Sequence, residues 1–332
     1  MTSGGIDKIR ASRDGHQYHE AWLARRALGL LLPRDSLCGI AVEGLSVEDQ
    51  GGASSATVEI ADATFYFGEA PTFDDAAHVE IAQFKYSTAK ERVQFLASDA
   101  AKTITKFAQT EADLLKNPSQ LKIIDKISYT IYTNRPIGSE LLDALSFLVN
   151  GELPSGQGNR AQYEKLLATI PLRSEQLQKF AARISLVGGG GDLQTIEKGN
   201  ARIIADWSAS KDALARARLG DLRELVRNKA GLVCQRNNVI TYIDVLAVLG
   251  IADESDLLPA PHAFLEPGPL IEREQLQNFI DYLGTSNLWL IHAAGGVGKT
   301  VFVQSVASRL SATDEVVLFD CFGGGRYRSP VD

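Results

Sequence analysis

Apolar residues first recur at helical spacing over residues 16–32 (HQYHEAWLARRALGLLL), where Tyr18, Trp22, Leu23, Ala27, Leu30 and Leu31 share one face. Pro33 is the expected stop. The pattern then changes. Residues 37–45, 56–67 and 78–86 are apolar runs, largely β-branched and aromatic, separated by polar loops, which predicts three strands. Helical spacing returns over 88–115, with Phe95, Ile104, Phe107 and Leu114 among its apolar residues. Residues 122–133 (KIIDKISYTIYT) predict a further strand. This order is that of a compact α/β fold.

From 137 onward the spacing is mostly helical: 138–148, 160–168, 174–180, 192–217 and 219–228, with 239–249 as a last apolar helix or short winged-helix element. Pro154-Ser155-Gly156 and the glycine run 188–191 interrupt it. No catalytic constellation stands out there, so 137–252 reads as a helical connector or an oligomerisation surface. Residues 253–270 hold four prolines and four acids, the composition of a linker.

Composition narrows the class. Apolar content of 45% and charged content of 23% suit a soluble globular chain. No apolar run reaches transmembrane length, so no membrane role is expected. Cys38, Cys234 and Cys321 are few and far apart, which fits a reducing cytoplasm and argues against a disulfide framework or a zinc site. A net charge of −7 gives no overall nucleic-acid footprint. Locally the balance reverses: residues 85–135 hold nine Lys/Arg against five Asp/Glu. An ordinary solvated helix face explains that bias as well as a phosphate-binding surface does.

Two stretches carry candidate chemistry. In the first, Asp62 interrupts an otherwise apolar strand, where a carboxylate is costly unless paired or bound to metal. Gln83 and Lys85, two apart on the next strand, point to one face. Carboxylate and amide oxygens suit Mg²⁺, and a lysine suits an attacking water beside a phosphodiester. Asp62 and Gln83 are therefore candidate metal ligands, Lys85 a candidate catalytic group, and Glu20 on the first helix a further acid. Glu43 and the Glu48-Asp49 pair are rival acids, placed second.

The second stretch is LWLIHAAGGVGKTV, residues 288–301. An apolar run predicts a short buried strand, a glycine-rich turn follows, and helical spacing begins after Lys299-Thr300. That is the layout of a P-loop. Gly295, Gly296, Val297, Gly298, Lys299, Thr300 and Val301 are the candidate nucleotide-binding residues, with Thr300 on Mg²⁺ and Lys299 on the β- and γ-phosphates of ATP. The place usually taken by the first glycine is Ala293. Residues 316–320 (VVLFD) look like a Walker B strand ending in Asp320, but they come where a doubly wound sheet places its second strand. The chain is expected to stop inside its nucleotide domain.

GHQYHEAW, AVEGLSVED, VEIADATFYFG, AQFKYS and IYTNRPI, in that order, resemble the N-terminal nuclease domain of bacterial antiviral effectors. That domain belongs to the PD-(D/E)XK superfamily and is similar to Mrr-type restriction endonucleases and to nucleases of cyclic-oligonucleotide-activated defence effectors. The resemblance implies a restriction-endonuclease-like fold, with Glu20 as the helix glutamate, Asp62 as the metal-binding aspartate, and Gln83 and Lys85 as a QxK variant of the usual pair. The segment IERE, a short helix, a strand and GGVGKT resemble the start of a STAND-type NTPase, which implies a nucleotide-side role for Arg273.

The expected layout is a nuclease domain over 1–136, a helical connector over 137–252, and a linker with the N-terminal part of a P-loop domain over 253–332. The expected function is a cytoplasmic anti-phage effector: a Mg²⁺-dependent endonuclease on double-stranded DNA, activated by NTP-dependent homo-oligomerisation. A phage protein would be sensed by a region C-terminal to residue 332. An NTP-dependent restriction enzyme and a signalling scaffold with an inactive nuclease-like domain are the alternatives.

Overall fold

The computed structural model describes residues 3–32, 36–50, 61–116, 121–208, 210–231, 237–252, 274–286, 288–314 and 316. They fall into two compact units, residues 1–258 and 259–332. The first unit is built on one mixed six-stranded sheet with helices on both faces. Helix α1 (Ser3–Gly29) leads into β1 (Leu37–Val42), the short α2 (Val47–Gln50), β2 (Ala63–Gly68) and β3 (Ala76–Lys85). Then come α3 (Ala97–Lys116), α4 (Leu121–Ile124), β4 (Ile127–Thr133), α5 (Ser139–Asn150), α6 (Gln157–Thr169) and α7 (Ser174–Ala182). β5 (Ile184–Val187), α8 (Leu193–Trp207), α9 (Asp212–Ala230), β6 (Val239–Ile240) and α10 (Tyr242–Leu249) complete it.

The strand order is β5-β4-β3-β2-β1-β6. β1, β2 and β3 form an antiparallel meander, β4 and β5 add in parallel to β3, and β6 closes the other edge antiparallel to β1. Side chains alternate between faces along each strand. Ala41, Tyr66, Val79, Ile81, Tyr129 and Ile131 pack under α3 and α5, while Ile40, Val42, Phe65, Ala82 and Phe84 pack under α1, α9 and α10. Parallel pairing of β3 with β4 requires a crossover, and α3 supplies it.

The stretch expected as a separate connector belongs to this unit. Its β5 and β6 are the two edge strands of the sheet, and no boundary falls at residue 136. Residues 192–217, expected as one helix, divide into α8 and α9. Ser208 stops the first by donating its hydroxyl to the Ile204 carbonyl (2.6 Å). Residues 239–249 split likewise into β6 and α10, because Thr241 and Asp244 form a capping box that starts the helix at Tyr242. In 122–133 only Ile127–Thr133 is strand. Gly188, just after β5, is needed as glycine: a Cβ there would lie 2.6 Å from the Arg135 carbonyl oxygen.

In the second unit, α11 (Glu274–Tyr282) and α12 (Lys299–Leu310) meet through Phe279, which stands edge-on to Trp289 (5.6 Å) and to Phe302 (5.5 Å). Residues 288–291, expected as a buried strand, pair with no strand among the described residues. Leu288 and Leu290 are exposed. No helix among the described residues is long and apolar enough to cross a membrane.

Candidate functional site

Strand register brings the candidate residues together. Val42 pairs with Ala63 and Ala63 with Ala82, so Glu43, Asp62 and Gln83 are the next residues in neighbouring positions across β1, β2 and β3. Backbone bonds continue the ladder through them: Glu43 N–H donates to the Asp62 carbonyl (3.0 Å) and Asp62 N–H to the Ala82 carbonyl (3.0 Å). By alternation, Asp62, Gln83 and Lys85 share the face that looks toward α3. The Gln83 amide donates to Asp62 Oδ1 (3.0 Å), and the Phe84 backbone N–H donates to Asp62 Oδ2 (2.7 Å). Thr103 on α3 donates its hydroxyl to Gln83 Oε1 (3.0 Å), which ties the helix to the site.

Lys85 is half-buried beside these groups. Burial pushes its ammonium below the ordinary lysine value, the Asp62 carboxylate opposes that, and Lys106 and Lys102 add to it. His19 was not among the expected site residues. Its Nδ1 stands 3.9 Å from Asp62 Oδ2 and its ring lies over Phe84 (5.4 Å). Burial pushes the imidazole below its ordinary value, with Asp62 opposing and His16 and Lys85 assisting. The sequence placed His19 on the first helix but carried no local signal for it, because its contacts are with Asp62 and Phe84 on other elements. His19, Lys85, Ser87, Lys90, Asp99 and Arg135 line a cavity of about 380 Å³.

Glu43 and Glu20 exchange the ranks expected from the sequence. Glu43 adopts the left-handed conformation (φ 53°), held between the Asn238 bonds to the Val42 and Leu45 carbonyls and the Thr64 bond to the Gly44 carbonyl. Partial desolvation and then the Asp62 charge push its carboxyl up. Glu20 has a different occupation. Arg223 holds its Oε2 (2.9 Å), and Arg227 holds Oε1 (2.8 Å) and Oε2 (2.9 Å). It anchors α9 to α1. Asp49 accepts from the Tyr66 hydroxyl (2.8 Å) and the Phe73 N–H (3.0 Å) and so fastens a loop, while Glu48 is exposed.

The Glu20 anchor has a pH signature. Burial raises its carboxyl and the arginines lower it more, leaving it below the ordinary carboxylate range. A depressed pKa contributes stability that is present above the unfolded value of about 4.3 and lost as pH falls through the folded one. Glu20→Gln is expected to cost about 1–3 kcal/mol at pH 7. It should also flatten the acid limb of stability. Urea melts from pH 3 to 7 check this.

Whether these residues suit Mg²⁺ can be judged from the donors. A carboxylate has about four acceptor positions; Asp62 uses two, and Glu43 offers a second carboxylate beside it. Mg²⁺ is commonly held by one or two carboxylates with waters, so Asp62 fits and Glu43 fits better than Glu20. Gln83 differs from expectation: its amide turns N–H₂ to Asp62 and its oxygen to Thr103, and in this arrangement it supports Asp62. Among the described residues no group of three or more His, Cys, Asp or Glu is arranged to hold a metal ion.

After Lys85 the chain is held by β4. Asn134 accepts from the Ser87 N–H (3.1 Å) and donates to the Ser87 carbonyl (3.1 Å). Arg135, buried over the Phe95 ring, donates to the Val93 carbonyl (2.9 Å) and the Gln94 carbonyl (2.5 Å) and pairs with Asp99 (3.0 Å).

In the second unit, Gly296 (φ 76°) and Gly298 (φ 89°) take the left-handed turns that residues 295–298 need, and α12 starts at Lys299. Lys299 Nζ donates to the Ala293 and Ala294 carbonyls, each at 2.7 Å, so the lysine folds back across the loop mouth. Thr300 is exposed in the first turn. Arg273 and Asp320 lie outside the described residues. No protein-family model matches the chain, and no curated protein matches it significantly.

Proposed function

We propose that the chain is a metal-dependent endonuclease acting on double-stranded DNA, regulated by a nucleotide-binding P-loop. The observation that carries this reading is the placing of Asp62 and a desolvated Lys85 on one face, at the end of neighbouring strands, with Lys85 and His19 lining an open cavity. Desolvated, perturbed groups converging in a cleft mark functional sites.

Hydrolysis forms a bond from a water oxygen to phosphorus and breaks the bond from phosphorus to the leaving sugar oxygen. Mg²⁺ bound at Asp62, with Glu43 beside it, would act as a Lewis acid on the phosphate. Lys85 carries its charge to the phosphate oxygens and orients the water. His19, whose imidazole burial holds toward the unprotonated form, accepts the proton that the water gives up. Gln83, pinned by Thr103, fixes the Asp62 carboxylate. Titration calorimetry with Mg²⁺ tests the metal site: Asp62→Asn should abolish the binding heat, and unaltered binding contradicts the assignment.

The finer reading is a cytoplasmic anti-phage effector of the STAND type. ATP bound by residues 295–301, with Mg²⁺ on Thr300, drives homo-oligomerisation, and a phage protein is the trigger. Opening of the Lys299 contacts to Ala293 and Ala294 frees the ammonium for phosphate. Lys299→Ala is expected to weaken ATP binding about 10–100-fold, the worth of a charged hydrogen bond of about 1.5–3 kcal/mol. Titration of a fluorescent ATP analogue checks it. The engagement of Gln83 by Thr103 favours a second reading, a nuclease-like domain that binds DNA without cutting it.

A further inference from the structure

The electrostatic surroundings of Lys85 extend beyond the groups assigned to hydrolysis. Lys102 and Lys106 lie four apart on α3, so they share a helix face and are separated by about 6 Å along its axis. The hydrogen bond from Thr103 to Gln83 fixes that part of α3 against β3, two residues from Lys85. Thr103 lies between the two lysines in sequence, so both stand beside that bonded contact, and both bear on Lys85 after burial and the opposing Asp62 carboxylate. Three ammonium groups therefore gather beside one carboxylate in a chain whose net charge is −7.

Nearby lysines are neutralised by carboxylates: Lys90 pairs with Asp99 and Lys116 with Asp113. Lys85, Lys102 and Lys106 form no ion pair among the described residues. Asp62 bears on Lys85, whereas Lys102 and Lys106 are like charges on one helix face, and an anion that bridges them relieves their repulsion. The spacing along α3 suits an anion with repeating charges. The face carries no aromatic platform: Phe107 is the one aromatic residue of α3 and is fully buried, and Tyr86 is stacked on Tyr18 (4.4 Å). Single-strand binders rely on such platforms, whereas duplex binders reach phosphates with charge alone.

We infer that Lys102 and Lys106 form a seat on α3 for the phosphate backbone of duplex DNA, guiding the strand past Lys85. The inference rests on the endonuclease reading for its substrate, but the seat is a binding surface and is tested apart from hydrolysis. Both lysines are positioning residues.

The test is binding of a 20-base-pair duplex by the whole chain in EDTA, followed by fluorescence anisotropy between 50 and 200 mM salt. The Lys102→Gln/Lys106→Gln double variant is compared with a charge-matched control, Lys198→Gln/Lys211→Gln, on exposed positions elsewhere. Each phosphate contact contributes about 0.9 to the salt slope, so losing two lowers it by about 1.8. The unchanged chain should then lose affinity over this salt range on the order of tenfold more than the double variant does. The control should keep the full slope, and Lys102→Arg/Lys106→Arg should retain it. Equal slopes for the double variant and the unchanged chain overturn the seat, as does an equal fall in the control. No duplex binding, or tighter binding of a single strand, also overturns it. Loss of cleavage with the slope difference intact counts against hydrolysis alone, and loss of the slope difference with cleavage intact counts against the seat alone.

Discussion

Lys85→Ala is expected to slow Mg²⁺-dependent hydrolysis of duplex DNA by about 10²–10³-fold, the usual cost of one preorganised group that stabilises transition-state charge. Stability should hold or rise. The ammonium makes no ion pair among the described residues, and burial with two neighbouring lysines outweighs the support its charge receives from Asp62, so alanine removes a net penalty. The effect should fall on kcat with KM little changed if Lys102 and Lys106 carry the backbone contacts inferred for them. Single-turnover kinetics with a thermal melt separate these quantities. A variant that cuts at the unchanged rate removes Lys85 from the chemistry.

Glu111→Ala is expected to produce the largest loss of stability. Glu111 on α3 is 2% exposed, accepts from the fully buried Tyr129 hydroxyl (3.0 Å) and pairs with Arg183 at the start of β5. Removing one partner leaves a guanidinium and a hydroxyl without their acceptor, which costs about 3–5 kcal/mol. For a unit of this size that corresponds to a fall of about 6–20 °C in Tm. Glu111→Gln, which keeps an acceptor for Tyr129, should cost less. A shift under about 2 °C for the alanine variant shows that Arg183 finds another partner, for which Asp125 at 3.9 Å is placed.

The helices and central strands were legible because their periodicity is strong: Tyr18, Leu23 and Ala27 mark the buried stripe of α1, and the alternation around Gln83 and Lys85 gave the correct face. Both edge strands were missed for a physical reason. β5 and β6 have four and two residues, too short for a period, and each abuts a helix with its own apolar pattern. Thr241 and Asp244 did carry a readable start signal for α10. At the candidate site, Asp62 stood out as a carboxylate in an apolar run and Lys85 by its spacing from Gln83. The ranking of Glu20 over Glu43 followed a motif. The contacts that set Glu20 apart come from Arg223 and Arg227, about two hundred residues along the chain, where no local pattern reaches. The orientation of the Gln83 amide depends on Thr103 in the same way.

The most direct measurement is a time course of supercoiled plasmid with the whole chain and ATP, in Mg²⁺ and in EDTA, beside Asp62→Asn. Nicked and linear DNA should accumulate only with the unchanged chain in Mg²⁺. No cutting under any of these conditions, or cutting that survives Asp62→Asn, contradicts a metal-dependent nuclease built on Asp62 and Lys85.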